Sequence, residues 1–141
     1  MHAFWDTSAI VHICVPGQAS GAARSLLRQQ PPVVWWATPV EAQSALEHLR
    51  SGGALTTAAY MASRVRLRQL VNSWREIQPT EPVRELARVQ LERFRVRASD
   101  TLQLSAALVW CRQRPIGRLF VCNDERLSAA ATQSGFDIVG V

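Results

Sequence analysis

Three cysteines, Cys14, Cys111 and Cys122, are odd in number and widely spaced, and no Cys-x-x-Cys pair occurs among them. That excludes a disulfide framework and a zinc ribbon, and reduced thiols in a cytoplasmic protein are the expectation. No run approaches the roughly 20 apolar residues of a membrane span, and Met1 to Asp6 shows no basic region leading into an apolar stretch, so no membrane association is expected. Neither a Gly-x-x-x-x-Gly-Lys loop nor a Gly-x-Gly-x-x-Gly turn is present, which leaves nucleotide-cofactor chemistry no foothold. Internal repeats and low-complexity segments are missing too. Lysine is absent: all 16 basic side chains are arginines, which suits forked phosphate recognition but is equally a product of coding bias in a GC-rich genome.

What is present is enough for one core. With 141 residues, 48% of them hydrophobic, residues 1–141 fit a single domain of a size that buries roughly 70% of its unfolded surface. A formal charge of +5 and a pI near 10.4 favour polyanionic partners, with RNA, DNA and an acidic protein all open at this point.

Five short β-branched or aromatic segments read as strands: Ala3 to Trp5, Val33 to Ala37, Arg75 to Gln78, Leu119 to Cys122 and Phe136 to Val141. Helical patterns alternate with them. Leu67, Leu70, Val71 and Trp74 form one stripe, and Val83, Leu86, Ala87, Leu91 and Phe94 another. Thr101 to Cys111 is apolar at nearly every position and predicts a helix covered on most sides. The alternation predicts a three-layer α/β/α sandwich around a parallel sheet of about five strands. Trp35 and Trp36, adjacent in a strand, would then point to opposite, covered faces.

The acids are the informative residues, because ligands of open parallel sheets bind beyond the carboxyl ends of the strands. The first strand runs into Asp6, the second leads through Thr38 and Pro39 to Glu41, and the fourth leads through Asn123 to Asp124, while Asp100 opens the central helix. Singly, each has an ordinary explanation as a helix-start or turn residue, and Thr38-Pro39-Val40-Glu41 reads as a capping box. Capping does not explain why they would gather at one edge. Asp100 heads a face continued by Leu104, Ala107, Leu108 and Cys111, and Glu41 one continued by Ala45 and Leu49, so both point along faces that seek the core. Two carboxylates about 5 Å apart repel by about 3 kcal/mol at an effective dielectric of about 20, a cost that a divalent cation removes. Oxygen-only donors suit Mg²⁺ or Mn²⁺ rather than zinc, and His2, His12 and His48 have no metal-binding spacing.

These residues resemble the PIN domains, and within them the VapC-type toxins of bacterial toxin–antitoxin pairs. The resemblance spans nearly the whole chain and rests on Asp6-Thr7-Ser8-Ala9, on Glu41, on Arg97 to Leu104 around Asp100, and on Val121 to Leu127 around Asp124. It implies a PIN-like fold, Mg²⁺- or Mn²⁺-dependent cleavage of RNA, a homodimer and a small antitoxin partner. It implies that Asp6, Glu41 and Asp100 hold the metal, that Asp124 completes the shell or helps place a second ion, and that Thr7 and Ser8 support. Where many members have Thr or Ser two residues before the fourth acid, this chain has Cys122. Arg24, Arg28, Arg50 and Arg97 are candidates for holding RNA. The alternatives are a catalytically silent PIN-like RNA-binding or regulatory scaffold, a phosphoacceptor receiver domain, and a phosphatase of the haloacid dehalogenase type. The last expects an acid where Ser8 stands.

Overall fold

Ala3-Phe4-Trp5 has no solvent exposure and forms β1 (Ala3–Trp5), the middle strand of a five-stranded parallel sheet ordered β3-β2-β1-β4-β5. The computed structural model describes residues 1–141. After β1 come α1 (Thr7–Cys14), α2 (Gly21–Gln29) and β2 (Pro32–Trp35), then α3 (Thr38–Ser51), α4 (Thr57–Val71) and β3 (Arg75–Ile77). The chain returns through α5 (Glu81–Arg93) and α6 (Ala98–Trp110) to β4 (Leu119–Val121), and ends with α7 (Glu125–Ser134) and β5 (Asp137–Val139). The expected strands are all present: β1 has the expected bounds, β2 starts one residue earlier and ends two earlier, and β3, β4 and β5 are one to three residues shorter.

Alternation along each strand builds two cores. Ala3, Trp5, Val34 and Val121 face α1 to α4, where Ile10, Ile13, Leu46, Tyr60, Leu67 and Leu70 cover them. Phe4, Val33, Trp35 and Phe120 face α5 to α7, under Val83, Leu104, Leu108 and Leu127. Parallel register keeps like faces side by side: Phe4 is level with Val33 and with Phe120, and the Phe4 and Phe120 rings stack at 5.3 Å. The chain is therefore the expected three-layer α/β/α sandwich.

Two sequence expectations change. Trp36 lies beyond the end of β2 and is 50% exposed, so Trp35 alone packs on a face. The strand ends there because α3 begins two residues later, with Pro39 in its first turn. Leu91 is also exposed, and the buried stripe of α5 is Val83, Ala87 and Gln90.

Gly135 stops α7 at φ 111°, and a Cβ there would meet Pro115 Cγ and Ile116 Cδ1 at 3.1 Å. Gly117, at φ 78°, has open space around it. Gly135→Ala is expected to cost about 2–3 kcal/mol, from the left-handed backbone plus the clash, and Gly117→Ala about 1 kcal/mol. Chemical denaturation of the two variants checks the order.

Candidate active site at the carboxyl edge of the sheet

From β1 the chain steps outward to β2 and β3, then crosses back to lay β4 on the other side of β1. The crevice between the carboxyl ends of β1 and β4 is thus the topological switch point, where open α/β sheets bind ligands. Asp6 directly follows β1 and Asp124 stands three residues beyond β4. Glu41 comes from the first turns of α3 in one helical layer, and Asp100 from the first turn of α6 in the other. All four line one cavity of about 700 Å³, together with Thr7, Ser8, His48, Arg97, Ser99 and Gln103.

Asp6 is the most constrained of the four. Its backbone N–H donates to Val121 O at 3.1 Å, tying it to β4. Its carboxylate caps α1 by accepting from Ala9 N at 3.2 Å, and Ser8 Oγ donates to Oδ1 at 2.8 Å. Ser8 Oγ in turn accepts from Asn123 N at 2.9 Å, so one hydroxyl joins the ends of β1 and β4. The side chain is only 4% exposed, and this desolvation pushes its pKa up to about 6 from 3.8 against the lowering effect of those hydrogen bonds. Burial also raises Asp100, reinforced by the charge of Asp124 and opposed by hydrogen bonding to Arg97 N and by the charges of Arg97 and Arg126.

The capping explanations hold unevenly. Asp124 is the N-cap of α7, accepting from Leu127 N at 2.8 Å, and Asp100 forms a capping box with Arg97. Glu41 caps nothing. The N-cap of α3 is Ala37, with no side-chain bond, and Glu41 Oε1 instead accepts from Thr7 Oγ1 at 2.9 Å and from Gln103 Nε2 at 2.8 Å. Its helical neighbours Ala45, His48 and Leu49 line the cavity, while Ala42 and Leu46 take the core. The Glu41 face therefore divides: Ala45 and His48 line the cleft while Leu49 both lines it and packs against the first core, whereas the Asp100 face runs wholly into the core through Leu104, Ala107, Leu108 and Cys111.

None of the four acids forms an ion pair within the chain. The one ion pair in the chain is Arg84 with Glu81 at 3.1 Å on the solvent side of α5, although arginines outnumber acids. Among the arginine candidates for substrate contact, Arg97 lines the cavity, Arg50 stacks over Tyr60 at 4.6 Å, and Arg24 borders a separate depression with Cys14 and Arg66. Arg126, which had no role in the sequence reading, joins Arg97 beside Asp100 and Asp124 in an adjoining hollow. Cys122 is buried, and desolvation together with the Asp6 charge pushes its thiol up to about 12, so it stays protonated at neutral pH.

The donor set is carboxylate and hydroxyl oxygen, the chemistry of Mg²⁺ and Mn²⁺. No three of the His, Cys, Asp and Glu side chains by themselves form a group that encloses a metal ion. An open cavity of this size with carboxylate and hydroxyl oxygens on part of its wall fits an ion that keeps several waters and takes few carboxylates. Gln103, which completes the hydrogen bonding around Glu41, was given no role from the sequence, and Thr38, read there as a cap, instead accepts from Gln103 Nε2 at 3.2 Å. The available signal was a lone amide between Leu102 and Leu104 in an otherwise apolar run.

The raised pKa of Asp6 fixes a sign. Between about 3.8 and 6 the folded chain holds a proton that the unfolded chain has released, so the cost of the charged side chain is absent below pH 4 and complete above pH 6. Asp6→Asn keeps an N-cap and removes that cost. It is expected to raise stability at pH 7.5 by up to about 3 kcal/mol, with the gain vanishing below pH 4. Denaturation at the two pH values checks this, and a variant less stable than wild type at pH 7.5 would contradict it.

Neither protein-family profiles nor curated protein sequences give a match to the chain. Solved structures do. PAE2754 from Pyrobaculum aerophilum superposes with a TM-score of 0.66 at 18% identity, covering 98% of this chain and 89% of that one. FitAcB from Neisseria gonorrhoeae superposes with a TM-score of 0.63 at 16% identity, covering 96% of each. At such identities the likeness is one of fold: the chain shares the architecture of these two proteins, the three-layer α/β/α sandwich around a parallel sheet that the sequence predicts.

Proposed function

We propose that the chain is a Mg²⁺- or Mn²⁺-dependent endoribonuclease, the toxin of a VapBC-type pair, acting as a cytoplasmic homodimer restrained by a small antitoxin. The observation that carries the nuclease reading is that Asp6, Glu41, Asp100 and Asp124, from four separate segments, line one cavity with no arginine paired to any of them. RNA as substrate, the homodimer and the antitoxin come from the resemblance.

In this reading the four acids hold the cation. Bound there, it would supply a water of lowered pKa and offset the charge that develops on the leaving oxygen. The chain's own residues supply the rest. Ser8 and the Ala9 amide keep the Asp6 carboxylate fixed, and Thr7 and Gln103 do the same for Glu41. Arg97 and Arg126 border the acids and offer planar donors to a phosphodiester approaching from the open side. No side-chain nucleophile is needed, and Cys122, protonated and buried, offers none.

The second reading, a catalytically silent scaffold, draws on the lack of a preformed three-ligand enclosure. The two separate in one assay. Cleavage of structured RNA by the purified protein should require Mg²⁺ or Mn²⁺, stop in excess chelator, and fall by more than about 100-fold in Asp100→Asn, on the scale of losing one charge-stabilising group. Cleavage that persists in excess chelator would overturn metal dependence. A wild-type protein that neither cleaves nor saturates with Mn²⁺ would favour the scaffold.

A further inference from the structure

Gln103 occupies a position where a packing role calls for an apolar side chain. It is 3% exposed, on a helix whose neighbouring Leu104, Ala106, Ala107 and Leu108 are all buried. Its Oε1 is buried with no hydrogen-bond partner, a costly state for an amide. Its Nε2, by contrast, is surrounded by acceptors: Thr7 Oγ1 at 2.8 Å, Glu41 Oε1 at 2.8 Å and Thr38 Oγ1 at 3.2 Å. Rotating the amide by half a turn would set Oε1 against the Glu41 Oε1 that Nε2 now contacts at 2.8 Å, two acceptors face to face, so the contact with Glu41 dictates the orientation.

The contacts close a triangle. Gln103 Nε2 donates to Thr7 Oγ1, Thr7 Oγ1 donates to Glu41 Oε1 at 2.9 Å, and Gln103 Nε2 donates to that same Oε1. One carboxylate oxygen is saturated by two donors, from α1 and from α6, and no protein donor reaches Oε2.

We infer that Gln103 is a positioning residue that, with Thr7, locks one oxygen of Glu41 and so reserves the other for a ligand in the cavity. The inference rests on the proposed metal-dependent reading, because a divalent cation is the ligand the reserved oxygen suits. Glu41 has three rotatable side-chain bonds and is half-buried; without the brace nothing on α3 fixes its head. Groups that orient a metal-binding side chain typically change metal affinity by 10–100-fold when removed.

The test is calorimetric titration of Mn²⁺ into the wild-type protein, Gln103→Met, Glu41→Gln and the double variant, without any nuclease assay. Gln103→Met keeps the volume and removes the donor, and it should bind Mn²⁺ about 10–100-fold more weakly than wild type. In the Glu41→Gln background the same change should have no further effect, because Gln103 acts through Glu41. If Gln103→Met fails to fold, Thr7→Val removes the other arm of the triangle and is held to the same two expectations. Unchanged affinity in the single variant, or an equal loss in both backgrounds, overturns the positioning role while leaving the metal site intact. A wild-type protein with no saturable Mn²⁺ binding overturns the metal reading, and this inference with it.

Discussion

Crowding of like charge at the carboxyl edge of the sheet is the constraint that organises this molecule. Four carboxylates share one cavity, and burial raises the pKa of both Asp6 and Asp100. The proximity of Asp124 adds to the second of these. A protein with a formal charge of +5 has ample means to pair these acids with arginine, yet it forms a single ion pair, and that one is elsewhere. The one direct repulsion, of Asp124 on Asp100, is opposed by the charges of Arg97 and Arg126 without an ion pair forming. Local hydrogen bonds hold the carboxylates: Ser8 and Ala9 on Asp6, Thr7 and Gln103 on Glu41, Leu127 on Asp124.

The sheet order explains how chain segments as distant as Asp6 and Asp124 meet. Placing β1 in the middle puts its end beside that of β4, and the reversal of direction opens a crevice between them. The two helical layers contribute unequally. α1 and α3 on one face carry Thr7, Glu41 and the cavity wall of Ala45, His48 and Leu49; α6 on the other carries Asp100 and Gln103. Above the strand ends the two layers touch directly, through Gln103 on one side and Thr7, Thr38 and Glu41 on the other.

Strand positions were legible from sequence because each strand is a brief β-branched or aromatic run between polar turn formers, and the parallel arrangement followed from the alternation with helices. The four acids were legible by their place after strands and at helix starts. What the sequence left open was which of these acids were merely capping. Glu41 looked most like a cap, in Thr38-Pro39-Val40-Glu41, and is the one that caps nothing, because α3 starts a residue earlier than the motif supposes. Periodicity likewise credited the whole of Glu41's face to the core; Leu49 does pack there, but Ala45 lines the cleft, and an apolar residue reads the same in either place. Gln103 escaped notice for a related reason: a polar residue in an apolar helix acquires meaning only when residues from α1 and α3, remote in sequence, arrive beside it. Trp36 was misplaced because a strand's end depends on where the next helix begins, which β-propensity does not record.

The brevity of the strands has its own consequence. β1 has three residues, and one hydrogen bond from the next, Asp6 N to Val121 O, passes the sheet's register directly to an acid. A single-residue insertion there would exchange the faces of Phe4 and Trp5 and rotate Asp6 out of the crevice in the same movement. The connections that enter the strands, such as residues 111–118 ahead of β4, lie at the opposite edge and touch none of the four acids. Tolerance to changes of chain length is thus polarised along the molecule: cheap where the chain comes into the sheet, ruinous where it leaves.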